Sequence, residues 1–198
     1  MSASTTTVSV VIPAYNEQAA LPLLRSRLTR VIDHVPDYAF EILIVDDHST
    51  DATTALLEEW AAAEPRLRSI RLAHNCGSHV ASTAGLLHCT GRCAILMAAD
   101  LEDPPELIPQ LLARWRAGHD VVWAIRAGGR GVSWHVRLIS RLYWSLMRRI
   151  AVPQTPPHGA DAVLLDRRVL NALRQVSEKN TSLISLCLLY TSPSPRDS

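Results

Sequence analysis

The chain has few cysteines, and their spacing excludes one class of small protein. Its 198 residues include only Cys76, Cys89, Cys93 and Cys187, in no pattern typical of a disulfide framework. A chain of this length can also build a hydrophobic core without covalent cross-links. The sequence therefore predicts reduced thiols and a cytosolic compartment.

Long apolar runs are also missing. Residues 1–7 are polar and uncharged, so they lack the basic and apolar regions of a signal peptide. No stretch reaches the roughly 18 unbroken apolar residues that a membrane-spanning helix needs. We therefore expect any membrane contact made by these residues to be peripheral.

Acidic residues are absent from one part of the chain. Residues 121–160 contain six arginines and no Asp or Glu, whereas residues 1–120 contain nine arginines and fifteen acids. Such asymmetry indicates two tasks on one scaffold. The basic part is also rich in Leu, Ile and Trp, which argues against nucleic acid as the partner.

Short apolar runs alternate with helical patterns over the first 125 residues. Strands are predicted at residues 8–13, 41–46, 67–72, 93–97 and 120–125, and helices at residues 17–34, 51–63, 78–89 and 104–117. Strict alternation of this kind is typical of a parallel sheet with helices on both faces. The predicted fold class is α/β, in a single domain.

Polar residues follow several of these predicted strands. The first strand continues into Pro-Ala-Tyr-Asn-Glu at 13–17, the second ends in Asp46 and Asp47, and the fourth is followed by Asp100 and Glu102. Ligands of open parallel sheets bind beyond the carboxyl ends of the strands. Carboxylates gathered there repel one another unless a cation or a cationic ligand joins them. The pattern predicts such a ligand at this edge.

These motifs resemble those of the inverting, GT-A-type family 2 glycosyltransferases, especially the branch that charges polyprenyl phosphates with a sugar. The similarity covers about residues 8–186 and depends on Val-Val-Ile-Pro-Ala-Tyr-Asn-Glu at 10–17, Val-Asp-Asp-His-Ser-Thr-Asp at 45–51 and Asp-Leu-Glu-Asp-Pro-Pro-Glu at 100–106. Shorter matches extend it: Arg126, Arg-Leu-Ile-Ser at 137–140, Gly-Ala-Asp at 159–161 and Asp-Arg at 166–167. The resemblance implies a Rossmann-like GT-A fold with a mostly parallel sheet. It also implies sugar transfer from a UDP- or GDP-sugar to polyprenyl phosphate.

The resemblance assigns roles to individual residues. Donor binding is assigned to Pro13, Tyr15, Asn16, Glu17, Asp46, Asp47 and Ser140, and catalysis to Asp100, Arg126, Arg137 and Asp161. The family's Asp-x-Asp-x-Gln metal motif here has Ala98, Asp100 and Glu102. We expect Asp100 and Glu102 to bind Mg²⁺ or Mn²⁺, with Glu102 compensating for the missing first carboxylate. Asp161 orients the acceptor, acts as a base or is a solvated loop acid.

Residues 131–150 combine an apolar surface with arginines at its border. Trp134, Leu138, Leu142 and Leu146 recur at four-residue steps, and four arginines flank them. A basic helix bordered by Trp and Tyr suits the headgroup region of an anionic membrane. The alternative is a core helix whose arginine stems cover apolar neighbours. The membrane interpretation is favoured, at the cytoplasmic side.

The C-terminal end departs from the pattern. Residues 187–198 become rich in Ser and Pro without periodicity, as in translated sequencing adapter. In the family, a late arginine and then transmembrane helices would follow. We therefore expect an incomplete catalytic domain at residues 1–186 and a non-native tail at residues 187–198.

Two other functions stay open. One is a family 2 transferase whose acceptor is a saccharide hydroxyl, which a strong base carboxylate near the acceptor would favour. The other is a degenerate nucleotide-sugar-binding module without catalysis, which Ala98 and the truncation favour.

Overall fold

The computed structural model of the chain describes residues 5–124 and 162–175. The elements in these residues are, in chain order, β1 (Thr6–Ala14), α1 (Leu21–Asp33), β2 (Tyr38–Asp46), α2 (Thr53–Ala63), β3 (Leu67–Arg71), α3 (Ser78–His88), β4 (Cys93–Leu96), α4 (Ile108–Arg116), β5 (Val121–Trp123), β6 (Val163–Asp166) and α5 (Arg167–Gln175). A short 3₁₀ helix, Pro105–Leu107, precedes α4. In this part of the chain, no helix has the length and apolar character needed to cross a bilayer.

The strands form one mixed sheet in the order β3-β2-β1-β4-β6-β5. β1 pairs in parallel with β2 and β4, and β2 pairs in parallel with β3. β6 runs antiparallel to both β4 and β5. The prediction of an α/β fold with a mostly parallel sheet is confirmed. The strand β6 and the helix α5 were not predicted, because the alternating pattern ends at β5.

Helices cover both faces of the sheet because strand side chains alternate in direction. In β1, Val8, Val10 and Ile12 belong to a core cluster with residues of α1, α2 and α4. The intervening Val11 belongs to a second cluster with residues of α3 and α5. Every one of these four side chains is fully buried. The result is a three-layer α/β/α arrangement, as expected from buried strands that are apolar on both faces.

Three predicted helix starts shift in the structure. The helix predicted at residues 104–117 begins at Ile108, after the 3₁₀ helix. α1 begins at Leu21 rather than at residue 17. Residues 18–20 form a turn, in which the Glu17 carbonyl oxygen accepts hydrogen bonds from the N–H groups of Ala20 and Leu21, both at 3.0 Å. The helix predicted at residues 51–63 begins at Thr53, with Ala52 at the N-cap position. Asp51 Oδ1 still accepts a hydrogen bond from the Thr53 N–H at 2.9 Å. It therefore satisfies one of the free N–H groups of the first turn.

The helix α3 packs against the sheet through a glycine. A Cβ atom added at Gly85 would lie 2.4 Å from Val11 Cγ1 and 3.1 Å from Val45 Cγ2. Only a residue without a side chain permits this separation between helix and sheet. The close packing fixes where the first turn of α3 meets the carboxyl edge of the sheet.

Candidate functional site

A cleft of about 290 Å³ lies at the carboxyl edge of β1, β2 and β4. Since β1 lies between the other two strands and parallel to them, the segments that follow all three converge there. The described residues that line the cleft are Pro13, Ala14, Tyr15, Glu17, Asp47, Ser78, Ala98, Ala99 and Asp100. The structure thus gathers five of the predicted site residues: Pro13, Tyr15, Glu17, Asp47 and Asp100.

Three other predicted residues are described but do not line this cleft. They are Asn16, Asp46 and Glu102. Of the two expected metal ligands, only Asp100 therefore lies in the cleft wall. Both Asp100 and Glu102 are exposed, and the Glu102 N–H donates a hydrogen bond to Asp100 Oδ1 at 2.9 Å. That bond holds the Asp100 side chain against its own loop.

Each of the loops that follow these three strands contains one residue with a left-handed backbone conformation. The φ angles are 55° at Asn16, 63° at His48 and 63° at Leu101, and in the described residues no other non-glycine residue has positive φ. Left-handed geometry is unfavourable for a side chain with a Cβ, and most unusual for Leu. Strained backbone persists where the surrounding structure imposes it, typically at functional sites. All three positions surround the cleft.

Asp47 holds the loop in front of α3. Its Oδ1 and Oδ2 accept hydrogen bonds from the N–H groups of Cys76 and Gly77, each at 2.7 Å. The residue is only 2% exposed. Charge-assisted bonds to two successive amides are strong and directional, so Asp47 sets the position of the next residue, Ser78, in the cleft wall. Asp47 is also predicted to bind the donor, so the same carboxylate would have to serve both purposes.

Asp46 is held by hydrogen bonds from residues of the β2–α2 loop and of α2. Burial alone would raise the pKa of Asp46, but hydrogen bonds from Ser49 and Thr54, and the nearby Arg71, together lower it below its ordinary value. The Ser49 N–H donates to Oδ1 at 2.9 Å and the Thr54 hydroxyl donates to Oδ2 at 2.6 Å. The ionised carboxylate thereby joins the end of β2 to the first turn of α2. The structure places Asp46 in this junction and not in the wall of the cleft.

Asn16 joins two loops rather than lining the cleft. Its N–H donates to the Ser49 hydroxyl at 3.0 Å, and its Oδ1 accepts from the Thr50 N–H at 2.9 Å. Next to it, the Glu17 N–H donates to the Thr53 hydroxyl at 2.7 Å. These bonds fix the β1–α1 loop onto the β2–α2 loop, so Tyr15 and Glu17 project from a supported backbone.

Glu17 is half-buried and faces like charge. Burial raises the pKa of its carboxyl, and the negative charges of Asp100 and Asp51 raise it further. The negative charges of Asp100 and Asp51 therefore add to the effect of burial in opposing ionisation of Glu17. A bound cation would relieve this repulsion.

We expect Glu17→Gln to stabilise the ligand-free protein at neutral pH. The pKa of Glu17 is higher in the folded chain than its ordinary 4.5, so the folded state favours the protonated form. The stability that this preference confers is present below the ordinary pKa and is lost as the pH rises through the folded pKa. The gain from Glu17→Gln should therefore be near zero at acid pH and increase up to neutral pH.

Urea denaturation across this pH range measures the effect. Glu58→Gln, an exposed position on α2, is the matched control. A gain for Glu17→Gln that does not change with pH, or that equals the gain for Glu58→Gln, contradicts the expectation.

The cleft offers oxygen ligands to a hard cation. Within residues 5–124 and 162–175, no three His, Cys, Asp or Glu side chains are arranged to hold a metal by themselves. Mg²⁺ in nucleotide enzymes is often held by one or two carboxylates together with substrate phosphates. Asp100 fits a site of that kind, because its negative charge lies close enough to Glu17 to raise the pKa of that carboxyl.

Several predicted residues lie outside the described part of the chain: Arg126, Arg137, Ser140 and Asp161. The amphipathic residues 131–150 and the tail at residues 187–198 also lie outside it. The described residues flanking the first group, Ala124 and Ala162, are joined by a hydrogen bond from the Ala124 N–H to the Ala162 carbonyl oxygen at 2.8 Å. Since β5 has the same direction as β4, this junction lies at the same edge of the sheet as the cleft.

Ser78 lines the cleft but was not predicted as a site residue. The signal for it was indirect. It follows Gly77, whose φ of 87° makes the turn into α3, and it begins the helix that comes after the third predicted strand. Helix starts beyond a strand end are common ligand positions in α/β sheets.

Comparisons with known proteins agree with this arrangement. The sequence profile described as glycosyl transferase family 2 matches residues 9–174. An uncharacterised glycosyltransferase of Synechocystis sp. is 34% identical over 172 residues, which are 87% of this chain and 54% of that protein. The chain spans about half the length of the curated relatives it matches.

Two solved structures share the fold at low sequence identity. The mannosyltransferase PcManGT of Pyrobaculum calidifontis, in complex with GDP-Man and Mn²⁺, has a TM-score of 0.60 and 21% identity, over 84% of this chain and 46% of that chain. Glucosyl-3-phosphoglycerate synthase of Mycobacterium tuberculosis, in complex with Mn²⁺, UDP and glucosyl-3-phosphoglycerate, has a TM-score of 0.60 and 22% identity, over 83% and 58% of the two chains.

Proposed function

Because the chain belongs to glycosyl transferase family 2, we propose that it transfers a hexose from a UDP- or GDP-sugar to polyprenyl phosphate, with inversion, at the cytoplasmic side of a membrane. The observation that supports this most is the shared cleft: Tyr15, Glu17, Asp47 and Asp100 follow three adjacent strands and line one cavity. In this proposal residues 1–186 are the catalytic domain and residues 187–198 a non-native tail.

The donor half of the proposal depends on the cleft wall. Tyr15 is 44% exposed and offers an aromatic face and a hydroxyl to a nucleotide base. Glu17, next to it, offers a carboxylate to a ribose hydroxyl. The two solved structures with this fold bind GDP-Man or UDP together with Mn²⁺, which supports the same donor class here.

The cation belongs with the diphosphate. Asp100 would hold Mg²⁺ or Mn²⁺ from the cleft wall, with Glu102 as the second proposed ligand. When bound, the cation supplies positive charge that stabilises the departing nucleoside diphosphate. Arg126 and Arg137 are proposed to add guanidinium donors to the same phosphates, because their paired N–H groups match phosphate oxygens.

The acceptor chemistry needs little help from a base. A phosphate oxygen of the acceptor attacks the anomeric carbon, and the bond from that carbon to the diphosphate oxygen breaks, with its electron pair leaving on the diphosphate. A phosphate monoester has its second pKa near about 6, so it is largely ionised at neutral pH. Asp161 is proposed to orient this acceptor rather than to deprotonate it.

A degenerate binding module is the second candidate function. Ala98 lines the cleft at the position where the family motif has its first carboxylate, so one oxygen ligand is missing beside Asp100. Such a protein would bind the nucleotide sugar with Mn²⁺ and not turn it over.

Calorimetric titration and a transfer assay test both candidates. We expect UDP or GDP to bind in a Mn²⁺-dependent way, and the matching nucleotide sugar to donate its sugar to polyprenyl phosphate in vesicles. ADP is the matched control nucleotide. Binding without transfer to any acceptor would support the module, and transfer to a saccharide hydroxyl alone would overturn the lipid acceptor. Failure of both nucleotides to bind would contradict the proposed function itself.

A further inference from the structure

A bidentate ion pair joins the helix α1 to the 3₁₀ helix Pro105–Leu107. Arg27 Nε donates to Glu106 Oε1 at 3.0 Å, and Arg27 Nη2 donates to Glu106 Oε2 at 2.6 Å. The hydrogen bond from Arg27 lowers the pKa of the Glu106 carboxyl, so the pair is ionised at neutral pH. Paired guanidinium–carboxylate bonds fix orientation as well as distance.

This ion pair joins the two chain segments that continue from two walls of the cleft. On one side, β1 ends at Ala14, and Tyr15 and Glu17 form the wall. The helix α1 follows, with Arg27 at its midpoint. On the other side, β4 is followed by Asp100 in the wall, and Glu106 comes six residues later. Arg27 and Glu106 do not themselves line the cleft.

The chain between Asp100 and Glu106 has little freedom to move. The Glu102 N–H is bonded to Asp100 Oδ1, and Pro104 and Pro105 restrict the backbone just before Glu106. Pro105 is also buried. A constraint at Glu106 is therefore transmitted to Asp100 through a short and stiff connection.

The other partner of the ion pair is also fixed. α1 is anchored to the sheet by the buried side chains Leu21, Leu24, Leu28 and Ile32. Arg27 projects from this anchored helix and has a side chain that is only 29% exposed. The pair thus attaches the Asp100 loop to a helix that packs on the sheet.

We propose that Arg27 and Glu106 are positioning residues that hold the Asp100 wall at the separation from the Tyr15–Glu17 wall that metal-dependent donor binding requires. The inference depends on the proposed function. It adds to that function a structural reason for the position of Asp100. Arg27 and Glu106 themselves do not line the cleft.

A double-mutant cycle with Arg27→Lys and Glu106→Gln tests this proposal. Lysine keeps the charge but has no paired N–H groups, so the fold should survive while the orientation is lost. We expect each substitution to weaken the Mn²⁺-dependent affinity for UDP or GDP by about tenfold, since small misplacements of a positioned group are costly. The double variant should be no weaker than either single variant, because both remove one interaction.

The affinity without Mn²⁺ is the second readout, and we expect it to change little, since the pair acts through Asp100. The matched control is Arg116→Lys, which alters an exposed ion pair with Asp37 (3.4 Å) at the opposite edge of the sheet. Equal Mn²⁺-dependent affinity in the wild type and the Arg27→Lys and Glu106→Gln variants would overturn the positioning role and leave the proposed function intact. Equal losses with and without Mn²⁺ would also overturn it. A wild-type chain that binds no nucleotide with Mn²⁺ would overturn both.

Discussion

We expect Asp100→Asn to lower the proposed metal-dependent sugar transfer by about 100-fold or more, because the variant removes the carboxylate proposed to hold the divalent cation. Asparagine has nearly the same shape, and its Oδ1 can still accept the Glu102 N–H bond that is 2.9 Å in the structure. The free energy of unfolding should therefore change little. Initial rates at saturating Mn²⁺, together with urea denaturation, separate the two effects.

Two further substitutions on the same segment make this test specific. Glu102→Gln decides whether Glu102 replaces the missing ligand: unchanged metal-dependent activity would refute that role. Ala98→Asp adds a carboxylate to the cleft wall beside Asp100, and we expect it to tighten Mn²⁺ binding. Should Asp100→Asn keep the activity of the wild type at limiting Mn²⁺, Asp100 is not a metal ligand.

Asp47→Ala will destabilise the chain by about 3 kcal/mol, because it leaves two partly buried amide donors without their partner carboxylate. The N–H groups of Cys76 and Gly77 both bond to the Asp47 carboxylate at 2.7 Å. Nucleotide binding should be lost as well, since Ser78 and the start of α3 are no longer fixed against the cleft. The free energy of unfolding, from urea denaturation, measures the first effect, and calorimetric titration with Mn²⁺ and UDP or GDP measures the second.

Asp47→Asn and Asp37→Ala complete the comparison. Asparagine keeps one acceptor oxygen, so we expect a cost between those of the wild type and alanine. Asp37 is an exposed aspartate whose side chain is 69% accessible, and its removal should change the free energy of unfolding by less than about 1 kcal/mol. If Asp47→Ala lowers the free energy of unfolding no more than Asp37→Ala does, the two hydrogen bonds from the Cys76 and Gly77 N–H groups do not support the loop.

The sequence predicts those strands of the sheet that a local pattern of apolar residues defines. The apolar runs that became β2 and β4 are buried on both faces, and they stand out because parallel strands need such runs. The strand β6 has a similar composition, Val-Leu-Leu-Asp. Its partners β4 and β5, however, are far away along the sequence, and both run in the opposite direction. No local pattern records an antiparallel strand inserted between two strands of the opposite direction.

The division of work between Asp46 and Asp47 was not predictable from local sequence. The two acids are adjacent, and both follow the same apolar run. The structure directs Asp46 to Ser49 and Thr54 and directs Asp47 to the loop at residues 76–77. The partners of Asp47 are 29 and 30 residues away, so only the packing of α3 onto the sheet, through Gly85, reveals them.

The hydrogen bond between Ala124 and Ala162 has an evolutionary consequence. It joins the exit from β5 to the entrance of β6, so the sheet already closes across these two points whatever number of residues connects them. The entropic cost of closing a loop rises only slowly with its length. A longer or shorter connection can therefore evolve here at little entropic cost, without altering the pairing of β5 with β6.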